Sequence, residues 1–183
     1  SILSKGYNIP LVYTKPPSKS NRGHKVSKSP IHTFCEENDL KVRTPENFNK
    51  LDDEKNILEK LKADIGIVVA YGQILPKAIL NVCKKGFINI HASLLPKLRG
   101  AAPIQRSIIN LDNETGISIM QINEKLDQGK VYSQYKININ KHDNADDLSL
   151  KLSKLAAEKI VDDIEGIFSV SYTHLRAHET RGN

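Results

Sequence analysis

Three polar residues, Asn89, His91 and Asp127, have the types and the spacing that an acyl-transfer site needs. Asn89 and His91 stand two residues apart at the end of a short apolar run that begins at Phe87. Because side chains alternate across a strand, residues two apart point to the same face. Asp127 follows a second apolar run, residues 117–122, within a Leu-Asp-Gln-Gly segment. Ligands of α/β folds bind at the carboxyl ends of strands, so we expect the three side chains to meet there.

These residue types predict direct transfer of an acyl group to an amine. The chain has no Gly-x-Ser-x-Gly elbow and no plausible Cys-His pairing, so the sequence does not suggest a covalent intermediate. Asn89 and His91 would donate to the oxygen of a tetrahedral intermediate, while Asp127 would orient His91 and relay protons. A single histidine at a strand end is more often a satisfied polar residue than a catalyst, and that structural role stays open on spacing alone.

The elements that must position these residues alternate between strand and helix. Apolar runs predict strands, and amphipathic or capped segments predict helices, which together indicate an α/β class with a mostly parallel sheet. Ser29 and Asn144 are the expected N-caps of the first and last of these helices. The strands that bear on the site are expected at 65–70, 87–90, 117–122 and 131–139, and the main helices at 30–38, 102–111 and 144–164.

The charge of the chain is concentrated in one segment. The net charge is +6, from 27 basic and 21 acidic residues, which favours an acidic partner. Residues 15–28 contain five basic residues and no acidic one, and the Pro, Ser, Lys and Gly composition of residues 15–29 predicts a loop. A run of Lys and Ser is often only a solvated surface, so composition leaves both a surface role and a binding role open.

Several classes of protein are disfavoured. The longest apolar run is far shorter than the roughly 20 residues that span a bilayer. Cys35 and Cys83 have no metal-ligand spacing and are expected to be buried free thiols in a reduced compartment. No His/Cys cluster suggests a metal, and no glycine-rich phosphate loop suggests a nucleotide cofactor. We expect a cytoplasmic protein, or one of an organelle matrix if a targeting segment was lost.

The composition changes abruptly after residue 168. Residues 169–183 contain two arginines and two histidines but no lysine and no apolar period. This shift predicts a disordered or non-native tail, which is left out of the fold prediction.

Six short motifs follow one another along the chain, at residues 70–76, 89–96, 99–107, 114–116, 119–121 and 126–129. Together these motifs resemble the signature of the folate-dependent formyltransferases. The similarity covers about residues 1–168, and it implies a Rossmann-like catalytic domain that is followed in the family by a smaller β-barrel domain. On this resemblance, residues 1–168 would be an N-terminally truncated catalytic domain that lacks its first strand, with the barrel domain absent.

The resemblance also implies roles for individual residues. The catalytic Asn, His and Asp of the family fall on Asn89, His91 and Asp127, and its co-substrate would be 10-formyltetrahydrofolate without a metal. The family's folate-contacting segment and the wall of its pterin pocket fall on Ser93, Leu94, Leu95 and Pro96, and on Tyr71 and Gly72.

Within the family, the Ala-Ala-Pro-Ile-Gln-Arg-Ser string and the basic segment most resemble the branch that formylates initiator methionyl-tRNA. Its key arginine falls on Arg22, and Lys19 and Lys25 would neutralise phosphates. We expect a monomer with no membrane partner. Two alternatives remain: a sister enzyme that acts on glycinamide ribonucleotide or an amino-sugar nucleotide, and a non-catalytic tRNA-binding fragment.

Overall fold

The structure is a computed structural model that describes residues 2–20, 25–48 and 51–179 of the 183-residue chain. Of residues 19, 20, 25, 51, 52 and 170–179, only the backbone is described. The chain divides into two compact units. Tyr7–Phe87 form the N-terminal unit, and Ser1–Gly6 with Ile88–Asn183 form the C-terminal unit.

The N-terminal unit alternates short strands with helices. Strand β1 pairs in parallel with β4, with Val12 opposite Val42. Helix α1 begins where the sequence predicts, because the Ser29 hydroxyl accepts a hydrogen bond from the His32 backbone N–H at 3.1 Å. The elements are β1 (Val12–Tyr13), β2 (Ser18–Ser20), β3 (Lys25–Ser27), α1 (Pro30–Glu37), β4 (Val42–Arg43), α2 (Leu51–Leu61), β5 (Gly66–Val68) and α3 (Lys77–Leu80).

The prediction of a loop over residues 15–29 is wrong in part. Strands β2 and β3 form an antiparallel pair, in which Ser18 lies opposite Ser27 and Lys19 opposite Val26. Lysine is depleted in strands, so the composition gave no strand signal, but backbone pairing does not depend on side-chain type. The residues between these strands, 21–24, lie outside the described part of the chain.

A hydrogen-bonded charge network joins three elements of the N-terminal unit. The Arg43 guanidinium donates to both oxygens of the Glu54 carboxylate, at 2.7 Å for the shortest bond, and the Tyr13 hydroxyl donates to Glu54 at 2.6 Å. Burial acts to raise the pKa of the Glu54 carboxyl, but the hydrogen bonds from Arg43 and Tyr13 lower it below its usual value. Burial and the Glu54 hydrogen bond raise the pKa of Tyr13. The network therefore links β1, β4 and α2.

The C-terminal unit places three strands side by side. Strand β7 lies between β6 and β8 and is antiparallel to both. The register puts His91 opposite Ser118, and Ser118 opposite Gln134, so these three side chains share one face of the sheet. The elements are a 3₁₀ turn (Leu3–Lys5), β6 (Phe87–His91), α4 (Pro103–Ile109), β7 (Glu114–Gln121), β8 (Val131–Asn138) and α5 (Ala145–Glu179).

The strands and helices confirm the expected α/β class. The expectation of a mostly parallel sheet does not hold for β6, β7 and β8, which pair antiparallel. The connection from β7 to β8, residues 122–130, is shorter than the crossover that a parallel pair requires. The other face of β7 carries Ile117, which packs with Leu148 and Leu152 of helix α5 in a buried cluster. Helix α5 begins at the predicted cap, because the Asn144 side-chain oxygen accepts hydrogen bonds from the backbone N–H groups of Asp146 and Asp147. Strand β7 is thus covered on both faces.

Three further predictions can be compared with the structure. Cys35 and Cys83 are buried and free, as predicted. Helix α5 continues to Glu179, so its backbone crosses the boundary expected at residue 168 without a break. Leu, Arg, Ala and Glu in this segment are good helix formers, which the change in composition concealed. Among the described residues, no helix is long and apolar enough to cross a membrane.

Candidate active site

The His91 side chain is buried between two groups that can only accept hydrogen bonds. It is 6% exposed at the end of β6. Its Nε2 atom lies 3.0 Å from the Leu98 carbonyl oxygen, and its Nδ1 atom lies 3.6 Å from Oδ2 of Asp127. The second distance is too long for a hydrogen bond, but it is short enough for an electrostatic interaction between the ring and the carboxylate. The ring can donate toward both groups only when each nitrogen carries a proton.

The Asp127 carboxylate is held by the backbone of a second loop. Its Oδ2 atom accepts a hydrogen bond from the Gly100 N–H at 2.7 Å, and its side chain is 12% exposed. The same oxygen faces His91. One carboxylate oxygen therefore joins the loop that follows β7 to the loop that follows β6.

The loop at 98–102 reaches both members of this pair because of its backbone conformation. Leu98, Gly100 and Ala102 all have positive φ values, of 54°, 84° and 55°. Asp127 also has a positive φ, of 48°. Such a conformation costs a non-glycine residue about 1–3 kcal/mol, and residues of this kind concentrate at functional sites. The Leu98 carbonyl that faces His91 and the Gly100 N–H that faces Asp127 both belong to residues with positive φ in this loop.

The segment between His91 and this loop is fixed by side chains of the neighbouring strands. The Ser118 hydroxyl donates to the Ser93 carbonyl at 2.6 Å and accepts from the Leu95 N–H at 3.0 Å. The Gln134 amide donates to the Leu95 carbonyl at 2.8 Å and to Ser118 at 2.9 Å. The Ser93 hydroxyl donates to the Lys97 carbonyl at 2.6 Å, which closes the segment on itself.

Asn89 lies two residues before His91 on the same face of β6 and is half-buried. Among the described residues, no hydrogen bond or ion pair joins the Asn89 side chain to His91 or Asp127. The structure thus brings two of the three predicted catalytic side chains within 3.6 Å of each other and places the third on the same strand face as His91. In the described part of the chain, no group of three or more His, Cys, Asp or Glu residues could hold a metal ion.

Comparison with known proteins identifies the family to which this arrangement belongs. A family model described as formyl transferase matches residues 3–164. The chain belongs to the formyl transferase family. It is 55% identical over 180 residues to a methionyl-tRNA formyltransferase of Pelagibacter ubique, across 98% of this chain and 58% of that protein. It is 47% identical to the protein of the same name from a Wolbachia of Drosophila simulans, across 90% and 56%.

The chain spans a little over half the length of these formyltransferases. Solved structures extend the comparison to the fold. A phosphoribosylglycinamide formyltransferase from Streptococcus pneumoniae aligns with a TM-score of 0.75 at 17% identity, and the alignment covers 91% of each chain. At that identity the likeness shows the fold alone, and it confirms the predicted Rossmann-like formyltransferase domain.

The residues that the family resemblance assigned to folate lie in both units. Ser93 to Pro96 follow β6 in the C-terminal unit, where Ser93 and Leu95 are buried and the Leu95–Pro96 peptide is cis. Tyr71 lies in the N-terminal unit, where its ring packs edge-on against the ring of Phe48, with the two ring centroids 6.1 Å apart. Burial raises the pKa of Tyr71, with a further contribution from the charge of Glu54. The roles of these residues stay predictions.

The side chains of the residues assigned to tRNA lie outside the described part of the structure. Arg22 lies outside the described residues, and of Lys19 and Lys25 only the backbone is described, in β2 and β3. Their proposed contact with tRNA therefore stays a prediction.

Reasoning from sequence missed Ser118, Gln134, and the backbone groups of Leu98 and Gly100. A signal existed for Ser118, because a hydroxyl between Ile117 and Ile119 in a buried strand requires a hydrogen-bond partner. Gln134 gave no such signal, because it stands at an exposed position of β8. The backbone groups could not be found, because residue type does not predict the positive φ of Leu98 or which backbone groups face the site.

The Gly129→Ala variant tests why the segment around Asp127 ends in glycine. A Cβ atom on Gly129 would lie 1.8 Å from the Gln121 carbonyl oxygen, at the point where β7 passes into β8. The backbone must move, so we expect a loss of about 1–3 kcal/mol in the free energy of unfolding, measured by urea denaturation. Gly166→Ala is the matched control, because a Cβ there meets no atom within 4 Å and alanine favours the helix. Equal stability of Gly129→Ala and the unmodified chain would contradict the close approach.

Proposed function

We propose that this chain carries the catalytic site of a methionyl-tRNA formyltransferase, which transfers a formyl group from 10-formyltetrahydrofolate to the α-amine of initiator methionyl-tRNA. The observation that carries the proposal is the buried His91–Asp127 pair in a member of the formyl transferase family. The relatives at 55% and 47% identity bear that name, which favours methionyl-tRNA over other acceptors.

The proposed reaction needs one bond to form and one to break. The α-amine nitrogen attacks the formyl carbon, and the bond from that carbon to N10 of the folate breaks after a tetrahedral intermediate has formed. Asn89 and His91 donate to the oxygen of the intermediate. Asp127 orients the His91 ring and relays the proton that leaves the amine toward N10. In this structure the Nε2 atom of His91 is hydrogen-bonded to the Leu98 carbonyl. When the reaction begins, the ring exchanges this carbonyl for the substrate oxygen.

Two features support a folate co-substrate. The backbone of Ser93 to Leu95 is anchored by Ser118 and Gln134, and a preorganised backbone lowers the cost of binding a planar heterocycle. In the N-terminal unit, the Tyr71 hydroxyl and the Gln73 side-chain oxygen are buried and have no hydrogen-bond partner among the described residues. Buried polar atoms of this kind are usually satisfied, so a ligand with polar edges would complete them. We propose that Tyr71 and Gly72 of the N-terminal unit contact the pterin. For the C-terminal unit, we propose separately that Ser93, Leu94, Leu95 and Pro96 contact folate.

The substrate assignment is tested with three acceptors. A hybrid enzyme is made by replacing the aligned 180 residues of the Pelagibacter ubique relative with those of this chain. Formyl transfer is measured on methionyl-initiator tRNA, glycinamide ribonucleotide and free methionine, with the unmodified relative and the 183-residue chain assayed in parallel. We expect the hybrid to formylate only the charged tRNA. A folded hybrid that formylates glycinamide ribonucleotide and not the tRNA would assign the chain to a sister enzyme instead.

The basic segment is tested by salt titration. We propose that Arg22 recognises the acceptor end of the tRNA and that Lys19 and Lys25 neutralise phosphates. Replacing both lysines by alanine should weaken tRNA binding and flatten its dependence on salt, by about one unit of slope per lost phosphate contact. Arg22→Ala should lower the rate with methionyl-tRNA and leave folate binding unchanged.

The charge-matched control for the two lysines is the pair Lys60→Ala and Lys84→Ala, at exposed positions outside the segment. This control should keep the original slope. An unchanged slope and an unchanged rate in the variant that lacks all three basic residues would mean that the segment is only a solvated surface.

A further inference from the structure

The Ser118 hydroxyl lies on β7 at a position with no solvent exposure, and its hydrogen-bonding capacity is used completely. A hydroxyl has one donor and two acceptor positions. Ser118 donates to the Ser93 carbonyl and accepts from the Leu95 N–H and the Gln134 amide. No position is left over, so the hydroxyl fixes the backbone on both sides of Leu94.

Gln134 completes this arrangement from the neighbouring strand. Its Nε2 atom uses both hydrogens, one toward Ser118 and one toward the Leu95 carbonyl. Because the Leu95 carbonyl can only accept, the nitrogen end of the amide must face it, and the amide cannot be flipped. The polar atoms of Leu95 are therefore both held, its N–H by Ser118 and its carbonyl by Gln134.

The packing of Leu94 follows from the same anchoring. A Cβ atom on Gly116 of β7 would lie 2.6 Å from Cδ2 of Leu94, so the glycine provides the space that this side chain occupies. Gly116 stands two residues from Ser118 and on the same face of the strand. The segment thus lies against β7 through an apolar contact and through hydrogen bonds.

We propose that Gln134, acting with Ser118, is a positioning residue that holds the Ser93–Leu95 backbone in the conformation that binds the folate co-substrate. This inference rests on the proposed function, because that function assigns the segment to folate. Among the described residues, no hydrogen bond or ion pair joins Gln134 to His91 or Asp127, so its effect on the reaction passes through the backbone of the segment. Loss of the Gln134 amide should therefore lower the affinity for folate and leave the use of methionyl-tRNA unchanged.

The exposure of Gln134 makes the proposal testable without unfolding the chain. Replacement of an exposed side chain leaves the apolar core intact, so the loss of stability is limited to the lost hydrogen bonds. Gln134→Met keeps the length of the side chain and removes both donors. Asn138→Leu is the matched control, because it removes an amide from an exposed residue on the same strand and the same face.

Three quantities are measured on the full 183-residue chain. They are the dissociation constant for 10-formyltetrahydrofolate, the rate of hydrogen exchange at the Leu95 amide and the melting temperature. Gln134→Met should weaken folate binding about 3- to 10-fold and accelerate exchange at Leu95, while the melting temperature falls by no more than about 2–4 °C. In the hybrid enzyme, the same variant should raise KM for folate and leave KM for methionyl-tRNA unchanged. Asn138→Leu should change none of these quantities.

Ser118→Ala provides a second variant that acts through the same segment. Because both side chains hold Leu95, the loss of folate affinity in the double variant should be smaller than the product of the two single losses. Folate binding by Gln134→Met that equals binding by the unmodified chain would overturn the inference and leave the proposed function standing. Failure of both the unmodified chain and the hybrid to bind folate would contradict the proposed function itself.

Discussion

The geometry of the site depends on a single constraint, which is that the buried imidazole of His91 lies between the Leu98 carbonyl and the Asp127 carboxylate. In the proposed reaction the substrate oxygen replaces the first of these partners. A buried polar ring without partners would be costly, and here one partner comes from the loop after β6 and the other from the loop after β7. The two loops are themselves joined, because the Gly100 N–H donates to the carboxylate oxygen that faces His91. Displacement of either loop would therefore disturb both functional side chains. Leu98, which supplies one of these contacts, and Asp127, which supplies the other, both have positive φ, and residues of this kind concentrate at functional sites.

The three antiparallel strands of the C-terminal unit supply the rigid support for that constraint. His91, Ser118 and Gln134 form one row across β6, β7 and β8, so the register of the sheet sets the distance between the histidine and the residues that hold the following segment. The opposite face of β7 is packed against helix α5 through Ile117, Leu148 and Leu152. A slip of one residue would turn Ser118 toward this apolar cluster and Ile117 toward the site. Burial of the apolar face thus fixes the register on which the polar face depends.

Sequence reasoning found the parts of the site that depend on periodicity and spacing, and it missed those that depend on backbone conformation. Apolar runs located β6, β7 and β8, and the spacing of His91 and Asp127 located the central pair. Nothing in the residue types of Leu98 or Ala102 predicts a left-handed backbone, so the carbonyl that faces His91 could not be foreseen. Gln134 alternates with half-buried neighbours like any surface residue of a strand, and only the structure reveals what its amide holds. The strand pair β2–β3 was missed because Lys and Ser carry almost no strand signal.

The central claim is that His91 and Asp127 act as one catalytic unit, and a double-mutant comparison of turnover tests it most directly. The turnover number for formyl transfer to methionyl-tRNA is measured at saturating folate in the hybrid enzyme with His91→Ala, Asp127→Ala and both together, and with His142→Ala as an exposed histidine control. Each single variant should lose at least about 10²-fold in turnover. The double variant should be only slightly slower than the less active single variant, because the effects of residues that act as a unit are not additive. The control should keep its turnover. Near-normal turnover in either single variant, or a loss in the double variant equal to the product of the single losses, would contradict the account.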